Sequence, residues 1–282
     1  MRYAKIQPMS HLDYLVIGHA SKDLTPAGVQ IGGTVSFSGQ TAPVLGCRTA
    51  VLTSTGPDLD IAAALPHVTL QNIPAITSTT FENVYAAAGR TQTLHSRAQP
   101  ITAAHIPADW QRASIVHLGP VANEVDPDII HLFSNSLIGL TPQGWLRGWD
   151  ADGRVHPQPW PQAEQILPHA AAVILSREDL ADETVLEQFR QWSPLLVLTD
   201  GYRGCTVFLG DESRHILAPP VEEVEPTGAG DIFAAAFLIR LWQTAGNPWE
   251  AARFANEIAA QSVTQVGLAA KMEAIQRVAS SG

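Results

Sequence analysis

Six short, continuously apolar runs constrain the fold of this chain more than any other feature: Leu12–Gly18, Ala50–Thr53, Ile115–Leu118, Ile138–Leu140, Ala171–Leu175 and Leu195–Thr199. Each is too short for a buried helix. None alternates between apolar and polar residues, as a half-exposed strand would, so each reads as a strand covered on both faces. Helical segments such as Leu180–Trp192 fall between some of them. The pattern predicts an α/β chain with a central, mostly parallel sheet and helices on both faces.

Two stretches break this rhythm. Lys22–Ile31 is rich in turn formers, and Thr79–Ile101 is rich in Thr, aromatic and polar residues, with an Ala-Gly-Arg turn at Ala88–Arg90. Both read as hairpin excursions, within residues 20–33 and 79–105, that form a small β lid over the carboxyl ends of the strands. Gly228–Gly246 and Pro248–Val266 each carry apolar residues at helical spacing, and the prolines of His156–Pro161 read as a surface connection. At 282 residues, with no internal repeat, residues 1–282 are expected to form a single domain.

Composition excludes several functions. A net charge of −10 gives no footprint for nucleic acid. Only three lysines occur and none follows a glycine, so the lysine-bearing phosphate loop is absent. The ten histidines form no zinc-binding pattern, and no G-x-S-x-G elbow occurs. Met1–Ser10 lacks the apolar core of a secretion signal, and the longest apolar run, Ile232–Trp242, is broken by Arg240 and too short to span a membrane. Two cysteines, Cys47 and Cys205, suit a reducing compartment, although one bridge between them stays open. The chain is expected to be cytoplasmic, with no membrane partner.

The densest chemical signal is Pro226-Thr227-Gly228-Ala229-Gly230-Asp231, set against the start of a helix. Glycines let backbone approach a ligand, and the free N–H groups of a helix start attract an anion. Asp231 is then placed to take a proton from an attacking hydroxyl. Taken alone, the same residues also fit a plain helix start, Thr227 capping it and Asp231 complementing its dipole. A dinucleotide fingerprint does not fit, because Phe233 stands where its third glycine belongs.

Thr227-Gly228-Ala229-Gly230-Asp231-Ile232-Phe233 resembles the signature of the PfkB (ribokinase-like) family of carbohydrate and nucleoside kinases, and other landmarks follow in order along nearly the whole chain. Gly18–Asp23 resembles the first strand and substrate-binding aspartate, and Gly32-Gly33 the diglycine that admits a sugar. Thr199-Asp200-Gly201-Tyr202-Arg203-Gly204 resembles the nucleotide turn, and Ala255-Asn256 lies where the family lines its adenine pocket. The resemblance implies a ribokinase-like fold and transfer of the γ-phosphoryl of Mg²⁺-ATP to a hydroxyl of a small polyhydroxylated acceptor. Asp231 would be the general base, and the amides of Gly228, Ala229 and Gly230 the anion hole. Asp23, Gly32 and Gly33 would hold the acceptor, while Thr199, Gly201, Gly204, Thr227 and Asn256 would surround the nucleotide.

Departures sharpen the comparison. The metal-linked N-x-x-E becomes Ser176-Arg177-Glu178-Asp179, leaving Ser176 and Asp179 as the Mg²⁺ candidates. Glu225-Pro226-Thr227 replaces the usual opening aspartate, so a monovalent-cation site there is left open. Phe37 replaces an asparagine after the diglycine, a pattern similar to the inositol-kinase branch; its ring is either core or a face for a cyclic polyol. Arg147, in Pro142–Arg147, either approaches the phosphates or is salt-bridged. Two alternatives remain: a ribose or nucleoside kinase, and a nucleotide-binding regulatory module without turnover. The assembly is expected to be a monomer or a lid-mediated homodimer.

Overall fold

A computed structural model describes residues 12–26, 28–86 and 89–280. Met1–Ser10 and Ala88 of the expected Ala-Gly-Arg turn lie outside the described residues. Along the chain come β1 (Tyr14–Ile17), the hairpin β2 (Ser21–Thr25) and β3 (Gly28–Gly32), α1 (Thr34–Val44), β4 (Thr49–Thr55), α2 (Ile61–Ala64) and β5 (Thr69–Pro74). A second hairpin, β6 (Thr79–Ala86) and β7 (Gly89–Ser96), precedes β8 (Ile115–Leu118), β9 (Leu137–Leu140) and a small hairpin, β10 (Arg147–Trp149) and β11 (Val155–Pro157). The last third holds α3 (Ala163–Ile166), β12 (Ala172–Ser176), α4 (Glu183–Trp192), β13 (Leu196–Thr199), β14 (Cys205–Leu209), β15 (Glu212–Ile216), α5 (Ala229–Gln243), α6 (Pro248–Ser262) and α7 (Leu268–Ala279).

The main sheet has nine strands in the order β15-β14-β13-β12-β9-β8-β1-β4-β5. All neighbours run parallel except β13 with β14 and β14 with β15. The six apolar runs all become strands here. Their continuity follows from the pleat, which sends alternate residues to opposite faces. Tyr14, Val16, Val51, Ile174 and Val197 pack with α1, α5, α6 and α7, whereas Leu15, Ile17, Leu52, Val173 and Leu198 pack with Trp145, Trp160, Leu186 and Phe189 on the other face.

The lid is a separate four-stranded sheet in the order β3-β2-β6-β7. It follows the expected excursions, except that the second leaves the sheet after Ser96 and turns through a 3₁₀ segment at Ala103–His105. Its buried cluster is small: Phe81 and Leu94 with Val121 and Ala122. Its roots meet at His19, where Thr79 Oγ1 lies 2.6 Å from Nδ1 and the Gln99 carbonyl 2.8 Å from Nε2. A Cβ on Gly33 would press on the His19 carbonyl. Asp58 adds a second tie, accepting from Lys22 Nζ at 2.7 Å and from both the amide and hydroxyl of Ser78. The β10–β11 hairpin docks on β7 through Leu94 N to Gly153 O at 2.8 Å.

Some expectations change. The His156–Pro161 stretch is more than a surface connection, because Trp160 is buried and stacks on Trp145 with ring centroids 4.4 Å apart. The two cysteines are free thiols, so the bridge left open by sequence is absent. Among the described residues no helix is long and apolar enough to cross a membrane.

Candidate active site

Helix α5 begins one residue later than its sequence pattern suggests. Gly228 is its N-cap, with φ of 79°, and no side chain caps it, so Thr227 does not play the capping part. A β-carbon at Gly228 would overlap the Phe37 ring, which explains why this turn needs glycine: the backbone is left-handed and a ring is packed directly against it. Gly230 is exposed, and a Cβ there would meet nothing within 4 Å. The first turn of α5 therefore opens on unfilled space, where unpaired helix amides concentrate positive potential. Ala229 departs from its expected role, because its amide donates to Pro226 O at 3.0 Å.

Asp231 sits half-buried in that first turn. Ser38 Oγ, from α1, donates to its backbone carbonyl at 2.9 Å, and the Thr34 hydroxyl donates to its carboxylate. Burial pushes the carboxyl up to about 6; the Thr34 bond and the positive field of Arg147 pull it down, while the charges of Asp179 and Asp23 push it up. Asp23, Arg147 and Asp179, from three other segments of the chain, thus all act on the Asp231 carboxyl. A carboxylate tuned toward neutrality beside a helix start suits general-base chemistry.

On the lid side, Asp23 lies over Gly32: a Cβ there would sit 2.7 Å from Asp23 Cγ, and Ser21 Oγ donates to Asp23 Oδ1 at 3.1 Å. The expected acceptor aspartate and diglycine are therefore adjacent. Phe37 is only 4% exposed and packs against Gly228, so it is core and does not present a face to a ligand. Arg147 approaches Asp179, Nη2 to Oδ1, at 3.8 Å, and Gln143 Nε2 donates to the same oxygen at 2.9 Å.

The Mg²⁺ candidates do not make a cage. Ser176 Oγ accepts from Glu178 N at 3.2 Å, and among the described residues no three His, Cys, Asp or Glu side chains are grouped so that they could hold a metal ion. One carboxylate, Asp179, fits a Mg²⁺ that arrives on a phosphate chain and keeps most of its waters, not a resident ion.

The expected nucleotide residues divide. Gly201 and Gly204 close a tight turn, Gly204 N donating to Gly201 O at 3.0 Å, and Thr199 Oγ1 donates to Leu175 O at 3.2 Å. Asn256 is 5% exposed, and its amide nitrogen donates to Ile216 O at 3.0 Å and approaches Leu217 O at 3.4 Å. It ties the end of β15 to α6. Thr34, Ser38 and Gln143 were not singled out from sequence. Thr34 directly follows the diglycine, but nothing local says that its hydroxyl meets a residue almost two hundred positions away.

Comparison with known proteins gives the chain its relatives. The profile of "pfkB family carbohydrate kinase" matches residues 154–275. Inositol 3-kinase of Zea mays is 33% identical over 156 residues, covering 52% of this chain and 39% of that protein. Inositol 3-kinase of Oryza sativa subsp. japonica is 26% identical over 287 residues, covering 92% of this chain and 70% of its own length. The chain spans about two fifths of the length of the first three curated relatives it matches. A pyrophosphate-dependent kinase in the ribokinase family, solved with a pyrophosphate analog and myo-inositol, superposes with a TM-score of 0.79 at 21% identity, over 94% of this chain and 99% of that one. The nine-stranded sheet with its lid is thus a ribokinase-like fold, and residues 154–275 of this chain are similar to the pfkB family of carbohydrate kinases.

Proposed function

We propose that this chain transfers a phosphoryl group from a phosphate-chain donor to a hydroxyl of a small polyhydroxylated acceptor, a sugar or a cyclic polyol such as inositol. The observation that carries the reading is Asp231, raised to about 6 in the first turn of α5, beside an opening that no side chain fills. Near neutral pH most of it is ionised. It accepts the acceptor's proton as the hydroxyl oxygen bonds to phosphorus and the bridging P–O bond breaks, the electron pair leaving with the donor remnant. The amides of Gly228 and Gly230 and the guanidinium of Arg147 stabilise charge on the transferring group. Asp23 and the Gly32–Gly33 backbone hold the acceptor, and the lid excludes water. Mg²⁺ enters on the donor as part of the substrate.

ATP is the donor implied by the motif resemblance, with Thr199, Gly201, Gly204 and Thr227 around it. A second donor, pyrophosphate, is favoured by one observation: the Asn256 amide is committed to the β15 backbone, which removes an expected adenine contact. The structural neighbour described as pyrophosphate-dependent supports the same reading. Two free thiols suit a cytoplasmic setting.

The test crosses two donors, Mg²⁺-ATP and Mg²⁺-pyrophosphate, with a panel of inositols, hexoses, ribose and nucleosides, and follows phosphorylated product. Acceptor-dependent transfer that Asp231→Asn abolishes supports the assignment. Equal rates in wild type and Asp231→Asn would show that another group is the base.

A further inference from the structure

The Lys271 side chain is completely buried, on the first turn of α7. Its ammonium donates to the Glu225 carbonyl and to Ser262 O at 3.3 Å, and lies 3.4 Å from Glu225 Oε2. Burial pushes its pKa down, Glu225 pulls it up, and Glu223 adds a further negative charge nearby. The same Glu225 carboxylate accepts from Gly267 N at 2.8 Å, while Val224 N and Glu225 N both donate to Val263 O. An isolated buried ammonium is costly and persists only where oxygens replace its water. Here those oxygens belong to the end of α6 and to the irregular segment leading directly into Pro226–Asp231.

We propose that the Lys271 ammonium is a tethered cation that holds the anion-binding turn in place, filling with a side chain the position that sequence left open for a monovalent cation. Backbone carbonyls and a carboxylate around a single positive centre are the donor set that a potassium ion also takes. Two of them come from Glu225, the residue that stands where the family's opening aspartate is expected. Lys271 is a positioning residue: it touches no substrate but fixes the segment from which Gly228 and Gly230 present their amides. The donor set therefore does not fit an added potassium ion, since the centre is already occupied. The proposal rests on the kinase reading for the purpose of the turn, but its test does not.

Calorimetry with inorganic pyrophosphate and with ADP, in potassium or tetramethylammonium chloride of equal ionic strength, reads the anion site directly. Wild type is expected to bind each ligand equally in both salts, within about twofold, whereas Lys271→Ala loses roughly tenfold or more in tetramethylammonium and recovers in potassium or ammonium chloride. Melting temperature gives a ligand-free readout, with potassium raising that of Lys271→Ala and leaving that of wild type unchanged. Potassium-dependent binding or melting in wild type overturns the proposal. So does a Lys271→Ala that binds like wild type in tetramethylammonium, or one that stays folded yet is repaired by no cation, since Lys271 would then be only a structural prop. Should Lys271→Ala not fold, the wild-type comparison decides alone. Absence of turnover with every acceptor would sink the kinase reading and leave this result legible.

Discussion

The two walls of the cleft are built on opposite principles. The donor wall is α5 and its preceding turn, with Ile232–Ile239 buried without interruption against α1, α6 and the main sheet. The acceptor wall is a four-stranded lid whose buried cluster is Phe81, Leu94, Val121 and Ala122, and whose Val29 and Val84 are exposed. A densely packed wall fixes the amides and carboxylate that stabilise charge, and a thinly packed one can open for a substrate. Under the proposed function, the contrast would put chemistry on one side and gating on the other.

The largest effect is expected at the rigid wall. Asp231→Asn should lower turnover about a thousandfold or more, measured as initial rate at saturating substrates. It should also stabilise the fold. The native carboxyl, at about 6, is raised above its unfolded value of 3.8, so its stabilising contribution is complete below 3.8 and lost as pH rises through 6. At pH 8 the variant should therefore resist urea better by about 1–3 kcal/mol, and the gain should vanish near pH 4. Next comes Gly228→Ala, where a left-handed φ and the Phe37 ring both oppose a methyl group. Displacement of the turn should cost about a hundredfold in kcat/KM, and adding Phe37→Leu should return part of it. If Gly228→Ala were silent, the rigidity assigned to this wall would be wrong.

Thr34→Val sharpens the contrast by retuning the base without moving it. Loss of a bond that lowers the Asp231 pKa should shift the acid limb of the pH profile of kcat/KM upward from about 6, with a loss of about tenfold at pH 6.5. Thr34→Ser should leave the limb in place. The smallest effect is expected at the lid: Phe81→Ala should raise the acceptor KM a few-fold with little change in kcat. Hydrogen exchange should quicken in β2, β3, β6 and β7 while β1 and β8 stay protected. Equal loss of protection in both sheets would erase the distinction between the walls.

The sequence disclosed the central strands because burial on both faces leaves unbroken apolar runs, and it singled out Asp231 as a candidate because a glycine turn and helix start are local. It did not disclose α1, which is buried almost all round, so its serines and threonines give no amphipathic stripe; Ser36 and Thr41 return their hydroxyls to the carbonyls of Gly32 and Phe37. β15 was equally silent, because its ESRHI pattern is nearly all exposed. The bond of Asn256 to β15 was hidden for a related reason: its position in the motif order says nothing of the strand that folds back to take its amide. Lys271 stayed hidden because a lysine on a short helix ordinarily faces water, and its partners at Ser262 and Glu225 become neighbours only when α7 packs under α6.

His19 gathers Ala20, Gly33, Thr79 and Gln99 around one ring and carbonyl, so the chain passes between the two sheets at what amounts to a hinge pin. Swinging about such a pin displaces each residue in proportion to its distance from it. Asp23 is paired with Phe81, two residues beyond Thr79 and roughly 7 Å along the strand, whereas Val84 lies roughly 17 Å out. The outer rim would therefore sweep more than twice as far as the Asp23 carboxylate, so under the proposed function the doorway could widen while the grip inside stays nearly preset.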